Sequence, residues 1–158
     1  MDTEDFCDLI DDDPLRSRRL GRALILVADD DGEMRDAVAE TLHADGYQVR
    51  VASSGRAFLD AIANLEAGQQ AMRGVDLVVL DNRMPGMSGL DALRTLRGTT
   101  RATPAILMTA YPTLAVEAEA FRLDATVLSK PFARAELSRT VLAKLLGRAD
   151  RSEPPSRS

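Results

Sequence analysis

Five short apolar runs, each followed by a stretch of helical period, limit what this chain can fold into more than any other feature. Residues 23–28 are continuously apolar, as expected of a strand buried on both faces. Met34, Ala37, Val38, Thr41 and Leu42 then recur at helical spacing, and Gly46 ends that helix. Residues 47–52 read as a second strand, and Phe58, Ala61, Ile62 and Leu65 mark a second helix running toward Met72. Residues 75–80 form a third strand, almost wholly apolar. Ser88 with Asp91 has the form of a capping box, opening a third helix with Leu90, Leu93 and Leu96 inward. Residues 104–108 lead into a fourth strand ending at Thr109. Leu114, Ala118 and Phe121 predict a fourth helix, residues 126–128 a short fifth strand, and Leu137, Val141, Leu142 and Leu145 a fifth helix. This succession predicts an α/β fold, a five-stranded parallel sheet with helices on both faces.

Such a sheet needs a large core, and the composition supplies one. The chain has 158 residues, 45% of them hydrophobic and 28% charged, which fits one globular domain. A domain of this size buries roughly 68–70% of its unfolded surface and needs no metal or disulfide to fold. The single cysteine, Cys7, excludes a disulfide framework and a zinc site built from several cysteines. It sits among carboxylates, which disfavour a reactive thiolate. A net charge of -5 argues against direct DNA binding through a broad basic face. No apolar run approaches the ~20 residues that span a membrane, and the acidic start is not a secretory signal. A cytoplasmic location is the expectation.

The ends differ from the middle. Residues 1–21 read as an extension: Asp2, Glu4, Asp5, Asp8, Asp11, Asp12 and Asp13 come without a base, followed by Arg16, Arg18 and Arg19, with Arg22 next. A block of like charge predicts a solvated, flexible tail. The alternative is a docking segment anchored by Phe6, Leu9 and Ile10. Residues 147–158, rich in Ser, Pro and Arg, read as a second tail, leaving 22–146 as the folded domain.

The chemistry gathers where the strand runs stop. Asp29, Asp30 and Asp31 end the first, Asp81 the third and Thr109 the fourth, and Ser129, Lys130, Pro131 and Phe132 follow the fifth. Open α/β sheets bind ligands outside the carboxyl ends of their strands. Clustered carboxylates repel, and a divalent cation removes the conflict; magnesium prefers oxygen ligands and commonly takes one or two carboxylates with a phosphate oxygen. Lys130 offers a positive charge and Thr109 a hydroxyl for a phosphoryl group, and a carboxylate can be the nucleophile that forms an aspartyl phosphate. Singly, each residue has a plain structural role: helix caps for the aspartates and Thr109, a turn for Asp81, a surface site for Lys130. Those separate roles do not explain all of them falling at successive strand ends. His43 lies in the first helix, away from this set, as an ordinary exposed histidine. Met84, Met87 and Met108 read as packing or loop residues.

On these residues the sequence resembles a response-regulator receiver domain. The matching segments are Ile25 through Asp29, Asp30 and Asp31; Leu77 through Asp81, Met84, Pro85, Gly86 and Gly89; Ile106 through Thr109 and Ala110; and Lys130, Pro131 and Phe132. The resemblance covers residues 22–146. It implies a flavodoxin-like (βα)5 fold with strand order 2-1-3-4-5, which would bring the strand-end residues to one crevice. It implies that Asp81 is the phosphoacceptor, with Thr109 and Lys130 as the switch hydroxyl and the phosphate-pairing lysine. It implies Mg2+ held by Asp29, Asp30, Asp81 and the main-chain carbonyl of Arg83, with Asp30 a direct ligand and Asp29 acting through water. The Lys130–Pro131 bond is expected to be cis. The phosphoryl donor would be a histidine kinase or histidine phosphotransfer protein. Such a module is not a conventional enzyme, although it catalyses its own phosphorylation and dephosphorylation.

There are departures from the family pattern. Val127 stands where an aromatic residue is usual, so output is expected to rely on loop and helix-four movement, with Tyr111 taking part. Asp124 replaces a common Gly, and the stretch around 68–74 is longer than usual. Arg83 and Tyr111 occupy positions that tune dephosphorylation in the family. With twelve residues after Leu146, the expectation is a single-domain regulator acting by protein–protein interaction or phosphorelay on an unidentified partner. Two alternatives stand beside this. A phosphate-independent receiver-like scaffold would bind its partner without Asp81 chemistry. A haloacid-dehalogenase-type phosphohydrolase would place an Asp-x-Asp nucleophile after the first strand, and the order here is the reverse.

Overall fold

The chain alternates strand and helix from Leu24 onward. This computed structural model describes residues 23–67, 74–100 and 102–152. The strands are β1 (Leu24–Ala28), β2 (Gln48–Ala52), β3 (Leu77–Asp81), β4 (Ala105–Thr109) and β5 (Ala125–Ser129). The helices are α1 (Gly32–Ala44), α2 (Gly55–Ala67), α3 (Gly89–Arg97), α4 (Leu114–Arg122) and α5 (Arg134–Ser152). All strand pairs are parallel and the order is β2-β1-β3-β4-β5, as the resemblance implied.

Alternation along the strands divides the core in two. Leu26, Val78, Leu80 and Leu107 face Phe58, Leu93, Leu96 and Ala120 of α2, α3 and α4. Ile25, Val79, Ile106 and Met108 face Val38, Leu42, Leu137 and Val141 of α1 and α5. Both faces of β3 and β4 are therefore buried throughout, which is why their sequences are unbroken apolar runs. β2 lies at the edge and is mostly exposed up to the buried Ala52.

Local signals held where they rest on backbone chemistry. The Ser88–Asp91 capping box is present in both directions. Asp124 adopts φ 59°, a left-handed conformation that explains a usual glycine there and that Asp tolerates better than most residues. Two expectations need correction, and α4, present as expected, adds a finding about its buried side. α5 continues through Gly147 to Ser152, so the first residues of the supposed C-terminal tail are helix. A helix tolerates one interior glycine at a cost of about 1 kcal/mol, and Gly147 was too weak a stop signal. β3 begins at Leu77, with Val75 buried just before it. The stripe that predicted α4 faces outward: Leu114 and Phe121 are 87% and 82% exposed, and Ala118 is exposed, while Ala120 packs inward. Small residues suffice against the sheet there, so period identified the helix but not its buried side. The supposed tail at 1–21, with Cys7, Phe6, Leu9 and Ile10, lies outside the described residues, as does most of the long stretch around 68–74.

Candidate functional site

Parallel pairing brings the ends of β1 and β3 side by side, with Ala28 opposite Leu80, while Thr109 is opposite Ser129 at the ends of β4 and β5. The next residue of each strand then decides what stands at that edge of the sheet. Asp29 follows β1 and is fully buried. Its main-chain N–H donates to Ala52 O at 3.1 Å, and its carboxylate accepts from Asp31 N at 2.9 Å. Asp30 is exposed. Asp31 turns the other way and caps α1, accepting from Glu33 N at 3.0 Å. Asp81 closes β3, buried, and accepts from Arg83 N at 3.1 Å. Carboxylate oxygens of Asp29, Asp30 and Asp81 lie within 4.8 Å of one another.

Lys130 reaches this group from the far side. Its main-chain N–H donates to Thr109 O at 2.8 Å, and the Lys130–Pro131 bond is cis. Its Nζ stands 2.7 Å from Asp81 Oδ1 and 3.4 Å from Asp29 Oδ2. Burial opposes the lysine charge, but the hydrogen bond to Asp81 and the attraction of both carboxylates outweigh it and raise its pKa above the ordinary value. Asp29 is also raised, first by burial and further by the Asp81 charge, against the lowering by its Asp31 hydrogen bond and Lys130. Among the described residues Lys130 thus pairs with two of three clustered carboxylates. An oxygen-only donor set of this kind fits a hard divalent cation such as magnesium. Thr109 is buried at the same edge, and its Oγ1 accepts from Tyr111 N at 3.0 Å, which leaves the hydroxyl proton for another acceptor. An open cleft of about 460 Å³ adjoins the cluster, lined by Asp30, Asn82, Arg83, Met84, Pro85 and Ser88.

Asp29, Asp30, Asp81 and Lys130 are therefore together, with Thr109 at the same edge of the sheet and Asp31 turned to α1, and His43 stands apart in the last turn of α1. Sequence reasoning missed three contributors. Arg35 donates from Nη1 to Asp29 O at 2.8 Å, bracing the main chain of the buried aspartate. A base one turn into a helix opposes the dipole, and that misfit was the available signal. Asn82 accepts from Leu90 N at 3.2 Å through its side chain and from Gly89 N at 3.0 Å through its carbonyl, tying α3 to the end of β3. The third is a contact between two residues already singled out: the Arg83 guanidinium carbon lies 4.6 Å from the centre of the Tyr111 ring.

Residues 25–142 match the family model described as response regulator receiver domain. The chain is 38% identical over 134 residues to Response regulator MprA of Mycobacterium sp. (strain KMS), covering 83% of this chain and 54% of that protein. It is 35% identical over 109 residues to Transcriptional regulatory protein FixJ of Bradyrhizobium diazoefficiens, covering 68% and 49%. The chain thus spans about half the length of these curated relatives. Its fold is similar to that of a receiver domain from Methanospirillum hungatei JF-1, with a TM-score of 0.75 at 23% identity, covering 83% of this chain and 99% of that one. Chemotaxis response regulator CheY4 of Vibrio cholerae superposes with a TM-score of 0.67 at 28% identity, covering 78% and 99%.

Proposed function

Because this chain belongs to the response regulator receiver domain family, we propose that Asp81 is its phosphoacceptor and that the phosphorylated chain signals through protein–protein contacts or a phosphorelay. Receiver domains are signalling modules of two-component systems, and histidine kinases or phosphotransfer proteins phosphorylate them. In the proposed reaction an Asp81 carboxylate oxygen attacks the donor's phosphorus. The phosphorus–nitrogen bond of the donor histidine breaks, and the imidazole leaves with the bonding pair and takes a proton. The observation that carries this reading is the placement of Asp81, buried at the end of β3 with Lys130 Nζ at 2.7 Å and two further carboxylates alongside.

Each side chain has a task that follows from its surroundings. Lys130 holds a positive charge against Asp81 and remains to pair with a phosphoryl oxygen. Thr109 donates its free hydroxyl proton to another such oxygen. Asp29, Asp30, Asp81 and the Arg83 main-chain carbonyl would hold a magnesium ion, which when bound neutralises charge gathered between the carboxylates and phosphoryl oxygens. The same residues would serve the chain's own dephosphorylation. The exposed side of α4, with Leu114 and Phe121, supports an output contact beside β5 and α5. Within the proposal this domain makes no direct DNA contact and works in the cytoplasm. No helix among the described residues is long and apolar enough to cross a membrane.

Intact mass after incubation with acetyl phosphate tests the reaction. One phosphoryl adduct is expected, labile to hydroxylamine, dependent on Mg2+ and absent from Asp81→Asn. An adduct on Asp81→Asn, or neither an adduct nor Mg2+-dependent beryllofluoride binding by the unsubstituted chain, overturns the proposal.

A further inference from the structure

The stacked pair of Arg83 and Tyr111 joins two loops at the mouth of the site. Arg83 N donates to Asp81 Oδ2 at 3.1 Å, and Tyr111 N donates to Thr109 Oγ1 at 3.0 Å. Each member is therefore rooted, two residues on, against the side chain of a residue in the proposed reaction. Their side chains then meet outside, with the guanidinium carbon 4.6 Å from the ring centre. The ring is 59% exposed, and Arg83 is exposed with no carboxylate in ion-pair range among the described residues. Arg83 also lines the cleft beside Asp30.

Resting on the reading that Asp81 carries the phosphoryl group, we propose that Arg83 is a two-position arm. Without phosphate its guanidinium lies on Tyr111, and with phosphate it leaves the ring for the phosphoryl oxygens, so that Tyr111 and the β4–α4 loop are released. The preference follows from the strengths of the two contacts. An exposed cation–π contact is weak, whereas guanidinium and phosphoryl oxygens form charge-assisted, geometrically matched hydrogen bonds. The difference favours the phosphoryl position by roughly five- to thirtyfold. Lys130, held between Asp81 and Asp29, pairs with one phosphoryl oxygen and leaves another for the arm. Release of Tyr111 gives the β4–α4 loop a phosphate-dependent state although Val127 provides no aromatic ring on β5. Tyr111 thus competes with the phosphoryl group for one cation and lowers its apparent affinity by the fraction of Arg83 it holds.

Beryllofluoride with Mg2+ is the probe, and its affinity is measured in a double-mutant cycle. Tyr111→Ala is expected to tighten binding about two- to fivefold, from the loss of the competing contact. Arg83→Ala is expected to weaken it at least fivefold, and Tyr111→Ala is expected to change nothing once Arg83 is absent. In parallel, the Arg83 Nε–Hε resonance should carry an upfield ring-current shift that Tyr111→Ala removes and that beryllofluoride also removes. Equal effects of Tyr111→Ala in both backgrounds, or an Arg83 resonance unmoved while the Asp81 and Thr109 amides respond, overturns the arm. Absence of any amide response at Asp81 and Thr109 instead overturns the phosphoacceptor reading beneath it.

Discussion

Gly89, the first residue of α3, offers a test of how closely that helix is seated on the phosphoacceptor. A methyl group built there meets the carbonyl oxygen of Asp81 closer than van der Waals contact allows, and Asn82 Cα and Asp81 C at 3.0 Å. All three are backbone atoms, so no side-chain rotation relieves the contact. The Gly89 N–H bond to Asn82 O at 3.0 Å holds the spacing. Overpacking typically costs about 1–3 kcal/mol, and the helix preference of Ala over Gly returns about 0.5–1 kcal/mol at most. Gly89→Ala should therefore lose about 1–2 kcal/mol. Gly147, inside α5 with nothing near its missing Cβ, makes the control, because Gly147→Ala should gain about 0.5–1 kcal/mol. Urea unfolding at a common slope reads both. The strained carbonyl belongs to Asp81 itself, and a displacement of about 1 Å can cost a reaction on the order of 10²-fold. The rate of acetyl-phosphate labelling should fall accordingly for Gly89→Ala and not for Gly147→Ala. If Gly89→Ala were as stable as the unsubstituted chain and labelled at its rate, the close seating of α3 on Asp81 would be wrong.

Tyr47 is buried, and burial together with the nearby Asp45 charge pushes its hydroxyl from 10.0 up to about 12. A group raised in the folded state stabilises fully below its unfolded pKa, so stability should fall by about 2–3 kcal/mol as pH rises from about 10 to about 12. Urea titrations should show Tyr47→Phe losing less stability than the unsubstituted chain across that window; equal losses would refute the burial argument. Ser88→Ala removes one half of the capping box and should cost about 1 kcal/mol by urea unfolding. The hydrogen bond from Ser88 N, with the Ser88 side chain and Arg94, holds Asp91 below the usual carboxylate range. The cap's contribution should accordingly be present above the ordinary aspartate pKa and fade as pH falls through the lowered value; a Ser88→Ala cost unchanged in acid would contradict that coupling.

The sequence announced the fold because burial on both faces leaves no freedom in β3 and β4. Val78, Leu80, Ile106 and Met108 must all be apolar, whichever face each one meets. The same constraint exposed the site. In a run that admits only apolar residues, Asp81 and Thr109 stand out because they occupy the last positions of fully buried strands. Strand order was not written in any local pattern; it came with the family resemblance, and pairing of β1 with β3 bears it out. Helix faces were less legible. Leu114 and Phe121 have the spacing of a buried stripe, yet they face outward, because the side of a helix that docks is chosen by the shape of the sheet and not by period alone.

Least legible were contacts between residues whose own positions each look ordinary. The resemblance marks Arg83 and Tyr111 singly, as positions that tune dephosphorylation, but only the adjacency of β3 and β4 sets them ring to cation. Arg35 is a surface base until the end of β1 turns Asp29 O toward it. The legible and illegible parts of the site thus divide by burial. Residues fixed by the sheet, Asp29, Asp81 and Thr109, betray themselves by violating an apolar pattern. Residues that respond to them from the rim signal more weakly, Arg35 only by opposing the dipole of α1 and Arg83 and Tyr111 by no break in an apolar pattern. That division suits a switch, since the reacting groups are held in strands whose movement would open the core, whereas the rim can exchange one partner for another at the cost of a weak, exposed contact.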